Sequence, residues 1–318
     1  MSRTHELRLI SRVAQLYYGE RLKQAEISKL LHISQATVSR LVAKALETGI
    51  VRVTITNPSG TYPKIEAQLR EKYGIEEAIV ADCFEDREDA ILSAIGAAAA
   101  HYFETTISNG EVIGISSWSA TLLRMVDNLS PLRGARAERV VQILGGIGNP
   151  NVQSHATQLT ARLATLIGAE AMLLPAQGVA GSAASRSVML GDSYVRDTMN
   201  QFARVTTAMV GIGALHPSVV LATSGNTFTN EELEDLEQRG AVGDVCLRFF
   251  DRAGRRVSSP LDDRVIGMTL EQLSAVPRVV GLAGGNRKVA AIHSALLTKT
   301  ISVLITDHFT AEKLSAHT

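Results

Sequence analysis

Three hundred and eighteen residues exceed what one hydrophobic core usually organises, so two domains are expected. With 45% hydrophobic and 20% charged residues, the composition excludes a disordered tail protein, a collagen-like repeat and a coiled-coil rod. The net charge is zero, yet residues 1–60 carry nine Lys and Arg against four Glu, and this basic head on an acidic body suits contact with a polyanion.

Cys83 and Cys246 stand far apart, with no second cysteine or histidine at ligand spacing, so neither a disulfide scaffold nor a structural zinc is expected. The first twenty residues include Arg3, Glu6, Arg8, Arg12 and Glu20, which leaves no uncharged apolar stretch for a signal peptide. Between Val205 and Asn230 the charge-free run is broken by Gly211, Gly213, Pro217 and Gly225, so it is not a membrane span. A cytoplasmic location is the expectation, with no cofactor or metal.

Leu7, Ile10, Val13, Ala14 and Tyr17 fall at helical spacing and predict a first helix over Thr4–Tyr18. A second, short helix begins near Gln24. Ile27, Leu31, Ile33, Val38 and Leu41 then supply the apolar contacts of two helices crossing through the turn His32-Ile33-Ser34, with Ser28 as the small residue at their closest approach. Ser34 can cap the second of these helices. Its outer face presents Gln35, Thr37, Ser39, Arg40 and Lys44, residue types that reach base edges and phosphates. A helical hairpin that merely caps or dimerises the body would explain the apolar spacing but not the charge or the hydroxyl-rich face. The pattern therefore predicts a helix-turn-helix for double-stranded DNA. His32 stands where such turns usually carry glycine, and must accept a left-handed backbone or shift the turn. Ile50, Val51, Val53 and Ile55 have strand character, and Asn57-Pro-Ser-Gly60 breaks the chain, which sets domains at 1–56 and 57–318.

A linking helix over Tyr62–Tyr73 follows, closed by Gly74. From there short apolar strands alternate with amphipathic helices. Strands are expected near 77–81, 112–116, 139–144, 171–175, 206–212, 242–250, 278–283 and 302–306. Helices are expected near 87–103, 120–128, 153–167, 230–239, 287–297 and 311–314. This alternation predicts an α/β domain with a doubly wound, mostly parallel sheet covered on both faces.

Four segments of the body bear on a ligand. Gly114-Ile-Ser-Ser-Trp-Ser-Ala-Thr121 is a small, hydroxyl-rich connection from strand to helix, whose backbone N–H groups suit an anion. It lacks the lysine and spacing of a P-loop. Trp118, the only tryptophan, is either a pocket wall or core. Gly145-Gly-Ile-Gly148 does not have the spacing of a dinucleotide site. Gly240-Ala-Val-Gly-Asp244 sets a carboxylate in an apolar strand, to accept hydroxyls or because Gly243 makes a bulge. Gly284-Gly-Asn-Arg-Lys288 brings Lys288 to the first turn of a helix, where a cation is disfavoured unless an anion is near. Asp307 reads as the cap of the last helix.

Tyr17-Tyr18, Gln24-Ala-Glu-Ile27, Ile33-Ser-Gln-Ala-Thr-Val-Ser-Arg40 and Gly49-Ile-Val51 resemble the N-terminal domain of SorC-type sugar-binding transcriptional regulators. The body segments match the same family in order, together with Pro175, Gly211-Ile-Gly213 and Leu304-Ile-Thr-Asp307. The resemblance implies an effector domain similar in fold to glucosamine-phosphate deaminase and ribose-phosphate isomerase, with the Ser116–Thr121 loop and Lys288 at a phosphate. It also implies homo-dimers or homo-tetramers on palindromic operators. The DNA-contacting set is then Gln24, Ser34, Gln35, Thr37, Ser39, Arg40 and Lys44. The effector set is Ser116, Ser117, Trp118, Ser119, Thr121, Gly145, Gly146, Asp244, Gly285, Asn286 and Lys288. Where the family usually has glycines around the tryptophan this chain has serines, which narrows the ligand space. The alternative to a regulator sensing a sugar, polyol or sugar phosphate is an isomerase-like or deaminase-like enzyme with a DNA-binding head. That enzyme needs a clustered acid–base set, and the eight histidines form none.

Overall fold

Two units emerge from the chain, Met1–Pro58 and Ser59–Thr318. The computed structural model describes residues 3–51, 58–132, 137–226 and 228–317, with backbone alone at 3–4, 150–157 and 219–220. The expected strand character of Val53 and Ile55 falls outside the described residues.

In the head, α1 (Arg3–Ala14) continues as one π-helical turn, Gln15–Gly19, before α2 (Gln24–Leu31) and α3 (Gln35–Glu47). Ile10, Val13, Leu16, Ile27, Val38, Leu41 and Ala45 close its core. His32 takes the left-handed conformation, φ 54° and ψ 39°, and ends α2. Ser28 Oγ donates to Ile33 O at 2.6 Å across the turn. Lys23 N–H donates to Glu26 at 2.7 Å at the start of α2, and Ser34 Oγ accepts from Thr37 N–H at 3.1 Å at the start of α3.

The body begins with α4 (Pro63–Tyr73), stopped by Gly74 at φ 65°. Then follow β1 (Glu77–Ala81), α5 (Glu88–Thr106), β2 (Val112–Ile115), α6 (Ala120–Asn128), β3 (Arg139–Gln142), α7 (Pro150–Leu166) and β4 (Glu170–Met172). Two helices, α8 (Ala183–Gly191) and α9 (Ser193–Asn200), lead to β5 (Thr207–Gly211), β6 (Gly213–Ala214), α10 (Val219–Thr223) and α11 (Asn230–Gln238). The chain ends in β7 (Ala241–Val245), β8 (Arg248–Asp251), α12 (Leu270–Ser274), β9 (Arg278–Leu282), α13 (Val289–Leu297), β10 (Val303–Asp307) and α14 (His308–Ala316).

Seven strands form one parallel sheet in the order β1-β10-β9-β5-β2-β3-β4. Alternate residues serve opposite faces: Val303 and Ile305 pack with α5 and α6, whereas Leu304 packs with α13 and α14. The doubly wound fold class is thus the observed one. A second sheet, β6-β7-β8, is antiparallel. It corrects the single strand expected over 242–250, which the turn Cys246-Leu247 divides in two. Both turn residues have positive φ, 53° and 60°, as a type I′ hairpin requires, but neither is the usual Asn or Gly, so sequence signals missed it. The bulge at Gly243, the alternative to a ligand role for Asp244, is present as a register shift between Ala241 and Gly243. Asp307 caps α14, its Oδ1 accepting from Thr310 N–H at 2.9 Å.

Candidate functional site

The outward face of α3 carries Gln35, Ser39 and Arg40, all exposed. Three other residues of the expected set have internal partners. Ser34 is the cap of α3, and its hydroxyl lies 2.8 Å from that of Thr37, which accepts from Arg40 Nη2 at 3.3 Å. Lys44 pairs with Glu6 of α1. Gln24 and Gln35 share a groove with Tyr17, Tyr18, Arg21 and Lys23, so aromatic and basic groups flank the start of the exposed helix.

In the body, strand order fixes where a ligand can sit. From β2 the chain proceeds through β3 to β4 on one side, and from β5 through β9 to β10 on the other. The switch point therefore lies at the carboxyl ends of β2 and β5, where open α/β sheets form their binding crevice. A cavity opens there. Ser116 to Thr121 follow β2, Gly211 to Ala214 follow β5, Gly284, Arg287 and Lys288 follow β9, and Asp244, Cys246 and Leu247 come from the hairpin. Glu88, His216, Pro217, Ser218 and Leu221 complete the wall.

The Ser116–Thr121 loop is held by its side chains. Ser117 Oγ donates to Leu144 O and accepts from Gln142 Nε2, both at 2.8 Å. Trp118 Nε1 donates to Gly145 O at 3.1 Å, and Ser119 Oγ caps α6 by accepting from Leu122 N–H at 3.3 Å. Trp118 itself has φ 64°. With Cys246 and Leu247, three non-glycine residues that line this cavity hold a left-handed backbone that costs about 1–2 kcal/mol each. The N–H groups from Ser117 to Thr121 have no acceptor among the described residues.

Asp244 is buried; its Oδ2 accepts from Leu247 N–H at 2.9 Å. Its Oδ1 occupies space that only glycine leaves open, since a Cβ on Gly213 would stand 2.1 Å away. Burial pushes the carboxyl up to about 6, opposed by the Leu247 N–H and by Lys288. Lys288 is half-buried. Burial lowers its ammonium pKa and Arg287 adds to this, while Asp244 and Glu88 oppose it. Among the described residues its ammonium has no ion pair or hydrogen bond. The Cys246 thiol is pushed up to about 12 by burial, with Asp244 next in effect, so it stays protonated.

The cavity thus brings together Ser116, Ser117, Trp118, Ser119, Thr121, Asp244 and Lys288. It does not bring in four others. Gly145 and Gly146 lie behind Trp118, with Gln177 and Gln142 where their Cβ atoms would be. Gly285 N–H turns to Asp307 and Thr310, and Asn286 Oδ1 accepts from Lys313. Sequence reasoning missed Glu88, His216, Leu221 and Arg287. Arg287 lay inside the Gly284–Lys288 motif without being assigned to the ligand, but the others become neighbours only through the strand order.

The Sugar-bind family model, a sugar-binding domain, matches residues 59–315, and that of sigma-70 region 4 matches residues 11–48. The deoxyribonucleoside regulator of Bacillus subtilis (strain 168) is 32% identical over 301 residues, 95% of each chain. The erythritol catabolism regulatory protein EryD of Brucella abortus (strain 2308) is 32% identical over 308 residues, 96% of each chain. Among solved structures, the full-length sorbitol operon regulator SorC from Klebsiella pneumoniae superposes with a TM-score of 0.74 at 29% identity, covering 98% of this chain and 99% of its own.

Proposed function

The chain belongs to the SorC/DeoR family of sugar-binding transcriptional regulators, and from that we propose that it controls a carbohydrate or polyol catabolic operon through a hydroxyl-rich effector bound in the switch-point cavity. Residues 1–56 bind a double-stranded DNA operator through Gln24, Gln35, Ser39 and Arg40. Residues 57–318 bind the effector and hold the chains together as a homo-dimer or homo-tetramer. Relatives named for a deoxyribonucleoside, erythritol and sorbitol support an effector that carries sugar or polyol hydroxyls.

One observation carries this reading: a buried carboxylate, Asp244, and a half-buried lysine, Lys288, line the same cavity. Lys288 can donate to a phosphate or hydroxyl oxygen, and Asp244 Oδ1 can accept from a hydroxyl. The free N–H groups of Ser117 to Thr121, at the start of α6, favour an anionic group such as phosphate. Trp118 offers an apolar ring face to the carbon skeleton. An effector that prefers one arrangement of the chain, and an operator that prefers another, are then coupled reciprocally.

Thermal unfolding with a panel of sugars, polyols and their phosphates tests this. An effector at about 100 times its Kd adds about 2.7 kcal/mol of stability to the wild-type chain, and Asp244→Ala should abolish the gain. No stabilisation by any member, or equal stabilisation of the variant, would overturn the assignment of the cavity.

A further inference from the structure

The glycines of Gly145–Gly148 do not line the cavity, so they need another reason. Each is set by a close approach. A Cβ on Gly145 would stand 2.4 Å from Gln177 O, and one on Gly148 would stand 2.3 Å from Ser224 O, 2.7 Å from Asn226 Nδ2 and 3.2 Å from Trp118 Cη2. The loop is therefore pressed between two parts of the effector domain.

One of these is the Ser116–Thr121 loop, seated through Ser117 on Leu144 O and through Trp118 on Gly145 O. The other is the segment from Ala214 to Asn226. It leaves β6, supplies His216, Pro217, Ser218 and Leu221 to the cavity wall, and turns at Gly225 with φ 75°. At its end Asn226 is 1% exposed and does not line the cavity. Its Oδ1 accepts from Gly178 N–H at 2.6 Å and Val179 N–H at 3.2 Å, and its Nδ2 donates to Ile147 O at 3.0 Å. Beside it, Asn149 N–H donates to Ser224 O at 2.8 Å. A carboxamide is the one neutral side-chain group of this size that can accept from two N–H groups and donate to a carbonyl at once; leucine would fill the space and leave all three backbone groups unpaired.

We infer that Asn226 is a positioning residue for the effector cavity: it locks the far end of the 214–225 wall to the same loop that seats Trp118, and so fixes these two parts of the cavity lining relative to each other. This rests on the reading of the cavity as the effector site. The positioning itself can be measured without any effector, because Trp118 is the only tryptophan.

The test uses the full chain with Asn226→Ala, Gly148→Ala and, as a control, Thr198→Val. Thr198 is buried in α9, donates to Leu173 O and Tyr194 O, and does not line the cavity. Acrylamide quenching of Trp118 and limited proteolysis within 214–225 are the readouts. Asn226→Ala should raise the quenching constant severalfold and open the segment to cleavage while unfolding stays cooperative. Gly148→Ala should do the same, and Thr198→Val neither. Wild-type quenching and cleavage in Asn226→Ala would overturn the inference, as would a control that reproduces both changes. If Asn226→Ala does not fold, Gly148→Ala decides on the same two readouts. Failure here leaves the thermal-shift test of the effector site untouched, and failure of that test leaves this one standing.

Discussion

Asp244 is a carboxylate whose burial works against folding and for binding. Its folded pKa, about 6, lies above the 3.8 of an unburied aspartate, so the charged form is disfavoured in the native state. The stability this group contributes is complete below about 3.8 and is lost as pH rises through about 6. Relative to Asp244→Asn, the wild-type chain should therefore gain stability as pH falls from about 7 to about 4, which urea unfolding of both proteins across that range measures. Parallel curves would mean that the carboxyl is solvated. Effector affinity should move the other way and weaken below about pH 6, because a protonated carboxyl has lost acceptor capacity. Asp244, Trp118 and Lys288 were all legible in the sequence, because a carboxylate in an apolar run, a lone tryptophan in a serine loop and a lysine in a first helical turn each break a local rule. His216 and Leu221 break none, and only the fold brings them to the wall.

At the scale of elements, α3 shows how far local signals reach. Its cap Ser34, its buried Val38 and Leu41 and its exposed Arg40 follow from spacing alone, as do the bounds of α6, Ala120–Asn128, and of β1, Glu77–Ala81. By contrast α8 has no fully buried residue, and the hairpin turn at Cys246-Leu247 hides because its left-handed residues are neither Asn nor Gly. Arg40 is exposed and donates one long hydrogen bond, to Thr37, which leaves most of its guanidinium donors for a base edge. Arg40→Ala should relax preference at one operator position by about 1–3 kcal/mol, measured with half-site variants. Equal weakening on every DNA sequence would make Arg40 a phosphate contact. Ser34→Ala should cost about 1 kcal/mol of stability through the lost cap, read by urea unfolding of the chain; no loss would show that Thr37 N–H is satisfied without it.

For the whole molecule, the division at Pro58 lets the two activities be separated, and no helix among the described residues is long and apolar enough to cross a membrane. The alternation of strands and helices made the parallel sheet legible, but the switch point between β2 and β5 depends on strand order, which no local pattern encodes. On the proposed homo-oligomer, a chain lacking residues 1–56 should sediment as a folded oligomer, since heads reading two half-sites roughly 34 Å apart would have to be held by the body; a monomer would place the interface in the head. Lys288 lines the cavity, and among the described residues its ammonium has no ion pair or hydrogen bond. Operator binding titrated with the effector that the thermal screen identifies should be compared between wild type and Lys288→Ala. Removing one charge-assisted contact, worth about 1.5–3 kcal/mol, should raise the effector concentration needed roughly 10- to 150-fold while effector-free operator affinity stays unchanged. An unchanged effector requirement, or loss of operator binding in a folded variant, would contradict the effector role of Lys288.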